Sequence, residues 1–208
     1  MEYTQKLPVD FYQRSSVTDI AKDLLGQYLC TQLEGELTVG RIVETEAYCG
    51  ESDQACHAFL NRRTTRTEVM FAPGGIAYIY LCYGIHALFN IVTNREDYGD
   101  AVLIRAIEPI EGADTMLLRR NMDKVKKPLL AGPGRLTQAL GITTQHDTIS
   151  LQSDHIWIAE GASVPKSRIV ATPRIGIDYA GEDVLLPWRY LEEGSKWVSG
   201  TKKQNKGV

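Results

Sequence analysis

The sequence predicts an α+β fold: one domain with a largely antiparallel, curved β-sheet core and several short flanking helices. Three observations lead there. Segments with strand character outnumber helical ones. Tight turns, rather than crossover helices, join many of them, which favours antiparallel pairing. A chain of 208 residues suits a single domain, and one of that size buries roughly 70% of the surface its unfolded form exposes. Residues 1–200 are read as that domain, and the basic residues 201–208 as a disordered tail.

The elements follow in order. Ser16 precedes Val17, Ile20, Ala21, Leu24 and Leu25, which share a face at helical spacing, and Gly26 closes the run. Ser is a good N-cap and Gly a good terminator, so this is a short amphipathic helix. Residues 27–33 and 36–47 read as two strands joined at Glu34-Gly35, a tight hairpin. Strict alternation places Leu37, Val39, Arg41, Val43, Thr45 and Ala47 on one face of the second strand. Thr38, Ile42, Glu44 and Glu46 take the other. Neither face is purely apolar at its end, which is odd for a core strand.

Residues 49–68 lack periodicity and read as a long polar loop; loops of that length in compact domains are usually functional. Strands are expected over 76–81, 87–93 and 101–107, the last opened by a Tyr98-Gly99-Asp100 turn. A helix is expected over 112–121. A second follows the Gly132-Pro133-Gly134 turn over 135–140 and stops at Gly141. Short strands close the chain near 156–159, 168–171 and 189–191.

Composition excludes several classes. The chain is 43% hydrophobic and 24% charged, ordinary for a globular protein. No apolar run reaches the ~18 residues a membrane span needs. The net charge of −3 does not by itself indicate nucleic-acid binding. Basic residues nevertheless cluster, at Arg62, Arg63 and Arg66 and again from Arg119 to Lys127. Such clusters are most often solvated faces. Cys30, Cys49, Cys56 and Cys82 form no close pair and read as reduced thiols. Cys49, Cys56 and His57 match no common zinc spacing, so no metal is expected. Without a secretory or transit pattern at the N-terminus, a cytoplasmic location is expected.

The chemistry concentrates between Arg41 and Arg105. Glu46 and Tyr48 lie two apart on a strand and share a face, as do Tyr78 and Tyr80. Rings facing each other across a cleft make a slot for a flat π-system, and a carboxylate at its edge can deprotonate a water. A flat base, an aromatic sandwich and an activated water are what hydrolytic base excision requires. Residue by residue, core packing for the tyrosines and a surface position for the carboxylate are the commoner outcomes.

Taken together, these motifs resemble the alkyladenine, or 3-methyladenine, DNA glycosylases. The resemblance runs from Asp10-Phe11-Tyr12 through Glu44-Thr-Glu46-Ala-Tyr48, Tyr78-Ile-Tyr80-Leu-Cys-Tyr83-Gly84, Gly132-Pro-Gly-Arg135, Arg174-Ile-Gly-Ile177 and Gly194-Ser-Lys-Trp-Val-Ser199. It implies monofunctional hydrolysis of the N-glycosidic bond of alkylated or deaminated purines in double-stranded DNA, with no cofactor. Glu46 falls on the general base, and Arg105 and the Ile175 carbonyl on groups that hold the water. Tyr48, His57, Tyr80 and Asn90 fall on the base pocket, with Asn90 near the purine edge. Tyr83 falls on the wedge that fills the gap left by the extruded nucleotide. Arg62, Arg63, Arg66 and Arg135 are candidate backbone contacts. Between Lys22 and Lys124 there is no lysine, so the matched block offers no amine for a Schiff base. The sequence departs from the family pattern at Arg66-Thr67-Glu68 and at Ile85-His86 beside the wedge. The resemblance also implies a monomer of the bacterial type, since the mammalian N-terminal extension has no counterpart.

Two other classes fit the same residues. A damage-binding module would keep the pocket without cutting. An unrelated scaffold would bury Tyr48, Tyr80 and Tyr83 with no cavity between them. Gly132-Pro-Gly134 also superficially matches a helix–hairpin–helix loop, though the plainer reading is a turn that caps a helix.

Overall fold

The computed structural model describes residues 3–207. One eight-stranded sheet carries the domain, with every strand pair antiparallel. Its strands are β1 (Tyr28–Leu33), β2 (Glu36–Tyr48), β3 (Ala77–Cys82), β4 (His86–Thr93), β5 (Asp100–Glu111), β6 (Ile156–Ala159), β7 (Ile169–Thr172) and β8 (Arg189–Glu192). The order β3-β4-β5-β2-β1-β6 forms the main path, and β8 pairs with both β2 and β7. The long β2 thus changes neighbour on one side, from β1 over residues 36–41 to β8 over residues 44–46. Four helices flank the sheet: α1 (Val9–Tyr12), α2 (Val17–Asp23), α3 (Ala113–Arg119) and α4 (Pro133–Leu140). Among the described residues no helix is long and apolar enough to cross a membrane.

Local chemistry explains the boundaries. The Ser16 hydroxyl caps α2 by accepting from the Asp19 amide at 3.3 Å. The β1–β2 turn puts Glu34 at φ 56° and Gly35 at φ 83°, the pair of positive φ values that a two-residue hairpin matched to strand twist demands. The Gly132-Pro-Gly turn caps α4, with Pro133 as its first residue.

The two faces of the sheet do different work. Ile42, Ala77, Ile79, Phe89, Ile91, Val102 and Ile104 point to the main core, where α2 and α4 pack. Alternation sends Tyr78, Val92 and Ala101 to the opposite face, where residues of the 49–71 segment (Cys56, Ala58, Met70 and Phe71) cover them.

Strict alternation fails in the middle of β2. The ladder pairs Ile42 with Ile107, Glu44 with Ala106 and Thr45 with Ile104. Val43 is therefore extra on β2 and Arg105 extra on β5, a compensating pair of irregularities. Ile42 and Ala47 face the main core, while Val43 turns away into a second cluster with Ala106, Leu191, Trp197 and Val198. The single face expected for Val43, Thr45 and Ala47 is thus corrected by a β-bulge. Residues 201–207, read from the sequence as a disordered tail, form turns here. The Gln204 carbonyl and the Asn205 side chain both accept from the buried Arg189, at 2.9 and 2.8 Å.

Candidate active site

The bulge sets the site. By turning Glu44, Glu46 and Arg105 away from the core face of Ile42 and Ile107, it concentrates charge at the floor of a cavity of about 190 Å³. Tyr48, His57, Tyr78, Tyr80, Asn90 and Arg105 line that cavity, together with Tyr83, Pro133, Ile175 and Tyr179.

Glu46 is fully buried and lies just behind the floor. Three groups that line the cavity converge on it. The Tyr48 hydroxyl donates to Oε2 at 2.8 Å, Arg105 Nη1 donates to the same oxygen at 3.1 Å, and the Ile175 amide donates to Oε1 at 2.8 Å. A carboxylate offers about four acceptor positions. One therefore remains for a further donor such as water.

Glu44 differs in kind. Its oxygens take Arg105 Nε at 2.9 Å, Arg189 Nε at 2.7 Å, and both the amide and the hydroxyl of Ser199. Burial alone would raise its carboxyl pKa, but Arg105, Arg189 and the Ser199 amide outweigh it and hold the group below the usual range. Arg105 is buried too, yet the two carboxylates keep its guanidinium firmly charged. A third buried pair lies alongside, where Arg174 grips Asp53 through two bonds of 2.5 and 2.7 Å. Three carboxylates (Glu44, Glu46, Asp53) thus face three guanidiniums (Arg105, Arg174, Arg189), all buried.

The aromatic wall stands on β3. Tyr78 and Tyr80 share a face, as alternation predicts, with ring centroids 5.4 Å apart. The imidazole of His57 meets the Tyr80 ring edge-on at 4.7 Å. Nδ1 of His57 lies 2.8 Å from the Tyr78 hydroxyl, and Arg66 Nη2 lies 3.3 Å from Nε2. Arginine can only donate, so Nε2 accepts and the proton sits on Nδ1. Burial, reinforced by Arg66, lowers the His57 pKa to about 4. Asn90 pairs with Tyr78 across the ladder and donates to the carbonyls of Tyr78 and Leu88 at 3.1 and 3.3 Å.

Tyr83 caps the β3–β4 hairpin at φ 52° and is 89% exposed, with Ile85 beside it at 72%. Side chains this apolar and this exposed at one loop tip have no packing role in the free protein. Tyr48 and Tyr80 are half-buried at the cavity instead of sealed in the core. A scaffold built only for packing would show neither feature.

The basic candidates separate. Arg66 stacks over the Tyr80 ring at 4.9 Å, at the cavity wall. Arg62 is exposed in an adjoining groove that also holds Arg66 and Tyr179. Arg63 is committed to Asp97 and Glu68 and stacks on Phe71 at 4.4 Å. Arg135, in the first turn of α4, donates to the Ala131 carbonyl just ahead of the helix.

The chain matches the Methylpurine-DNA glycosylase (MPG) family over residues 10–196. The chain belongs to that family. Curated relatives agree. A protein of Chlamydia felis named "Putative 3-methyladenine DNA glycosylase" is 51% identical over 186 residues, covering 89% of this chain and 95% of the relative. Proteins of the same name from Methanocella arvoryzae and Myxococcus xanthus are 46% and 45% identical, each over 93% of this chain, covering 95% and 93% of those proteins.

The family resemblance assigned Glu46, Tyr48, His57, Tyr80, Asn90, Arg105 and the Ile175 carbonyl to one site; these residues lie together in the structure, where it is the Ile175 amide that meets Glu46. Sequence reasoning did not anticipate the Tyr78 hydroxyl on His57, the four donors on Glu44, or the Arg174–Asp53 pair. Those partners lie 21, 61 to 155 and 121 residues apart in the chain. No local spacing carries such information.

Proposed function

We propose that the cavity receives a damaged purine flipped out of duplex DNA and that Glu46 activates the water that removes it. Family membership makes the chain a DNA glycosylase of the 3-methyladenine repair class; the residue roles are the inference. The observation that carries them is the convergence of Tyr48, Arg105 and the Ile175 amide on Glu46. It leaves one acceptor position on a buried carboxylate at the floor of an aromatic cavity.

In this reading Tyr48 stacks on the base from one side, and Tyr80 and His57 bound it on the other. Water at the last acceptor position of Glu46 gives its proton to the carboxylate as its oxygen bonds to the anomeric carbon. The glycosidic bond breaks and its electron pair leaves with the base. A purine alkylated at N3 or N7 is cationic and departs neutral; a neutral purine needs a proton. Arg105 fixes the carboxylate and tempers its charge. The Asn90 amide nitrogen, held by two carbonyls, leaves a fixed polar group at the purine edge. Tyr83 enters the stack from the minor groove and replaces part of the stacking lost on flipping. No lysine lines the cavity, which supports a monofunctional enzyme that leaves an abasic site.

The test is single-turnover incubation with duplex DNA carrying one hypoxanthine, ethenoadenine or alkylated purine, with wild type beside Glu46→Gln. Strand breaks are expected only after alkali, and the variant is expected to lose a factor of about 10²–10⁴ in rate while still binding. Equal rates in the variant would remove Glu46 as base. Lesion binding by the wild type without any abasic product would favour a damage-binding module instead.

A further inference from the structure

We infer that the buried Arg174–Asp53 pair, behind the ring of Tyr48, sets how strongly the cavity favours cationic over neutral purines. The inference rests on the base-excision reading and concerns its selectivity. Tyr48 lines the cavity, whereas Arg174 does not. The Arg174 guanidinium stands over the Tyr48 ring, 4.7 Å from its centroid, and 5.3 Å from the Trp188 ring. It also donates to the Ala47 carbonyl at 2.8 Å, next to Tyr48 in the chain. Both side chains of the pair are wholly inaccessible to solvent.

An aromatic face attracts a cation through its quadrupole. A second cation behind the same ring opposes that attraction. Asp53 cancels the opposition, because its carboxylate holds the guanidinium through two bonds. The pair therefore presents the ring to the cavity as if no charge stood behind it. A purine alkylated at N3 or N7 brings a positive charge to the cavity face; hypoxanthine brings none. A base in van der Waals contact with the ring places the two positive charges roughly 8 Å apart. At that separation in a partly buried site, an uncompensated Arg174 disfavours the cationic base on the order of ten-fold. Hypoxanthine, neutral while bound and protonated only as it leaves, escapes this effect on binding.

The experiment compares the enzyme concentrations that half-saturate single-turnover excision, and so the affinities, for two duplexes of one sequence carrying 7-methylguanine or hypoxanthine. Asp53→Asn leaves the guanidinium uncompensated, so the ratio of affinities, 7-methylguanine over hypoxanthine, should fall about ten-fold. Arg174→Gln leaves the carboxylate uncompensated, so the ratio should rise. A double substitution should bring it back toward wild type. A merely structural role would lower both affinities together, and an unchanged ratio in the two single variants overturns the inference. Should one of them fail to fold, the sign of the shift in the other decides. A wild type that excises neither base defeats the base-excision reading. One that excises both, with an immovable ratio, defeats this inference alone.

Discussion

Replacing Glu44 with Gln separates its role from that of Glu46, two residues along the same strand. Glu44 is the shared counter-ion of Arg105 and Arg189, and the latter has no solvent exposure at all. The substitution keeps the shape but removes the charge, and it turns one acceptor oxygen into a donor that faces other donors. Removing one partner of a buried ion pair costs about 3–5 kcal/mol. Arg105 retains Glu46, which limits its share; Arg189 keeps only neutral partners. For a chain of this size, about 3–5 kcal/mol corresponds to a fall in Tm of roughly 6–20 °C. Thermal melts at pH 7 should show it. The pH dependence has a defined sign. The folded-state pKa of Glu44 is depressed, so its contribution is fully present above the unfolded value of about 4.3 and is lost as pH falls through the lower folded value. The gap between wild type and variant should therefore narrow in acid. A variant that melts within about 1 kcal/mol of wild type at pH 7 would refute the reading of Glu44 as the charge anchor of the site.

Three further outcomes are expected. Tyr83→Ala should weaken binding to lesion-containing duplex by about 1–3 kcal/mol, the worth of one stacking platform, and leave the melting temperature unchanged; a defect confined to the chemical step would count against the wedge. His57 should titrate near 4 by NMR, and Arg66→Gln should raise that value. Because the unfolded chain takes up this proton nearer pH 6.5, acidification from about 6.5 to 4 should lower stability through His57; a His57 pKa near 6.5 in the folded wild type would contradict the buried, Arg66-bonded imidazole. Gly134→Val should weaken lesion binding with the fold retained, because a Cβ at Gly134 would lie 2.9 Å from the Cβ and Cγ of His86 and push the hairpin that carries Tyr83; unaltered binding would show that the hairpin position is not set by α4.

Most of the fold was legible because it rests on local signals. Period two in β3 separated Ala77 and Ile79 from Tyr78 and Tyr80, and the structure uses that alternation to divide core from cavity. Ser16, Glu34-Gly35 and Gly132-Pro133 marked helix and hairpin ends through capping and turn chemistry that depend on neighbours alone. The bulge at Val43 was not legible. A sequence shows alternation, but an extra residue is extra only relative to its partner strand, and the matching irregularity at Arg105 lies 62 positions away. The same limit hid the difference between Glu44 and Glu46. Both are buried carboxylates on one strand; what divides them is that Ser199 and Arg189 saturate the first and that three cavity groups address the second.

Burying six charged groups in a domain of this size requires a reason, since each loses its hydration and well-packed apolar residues would be at least as stable. The arrangement supplies one. On the proposed reading Glu46 takes a proton from water, and the guanidiniums beside it must have their own charge balanced as well. On that reading, Arg105 alone would bind Glu46 tightly and blunt it as a base. Sharing Arg105 with Glu44 divides its attraction between two carboxylates, and Arg189 takes up the remaining charge of Glu44. Alternation sets Glu44 and Glu46 on one side of β2, and the bulge turns that side away from the core face of Ile42, to where Arg105, unpaired in the ladder, also points. A regular strand would have driven these charges into the apolar core that Ile42 and Ile107 face.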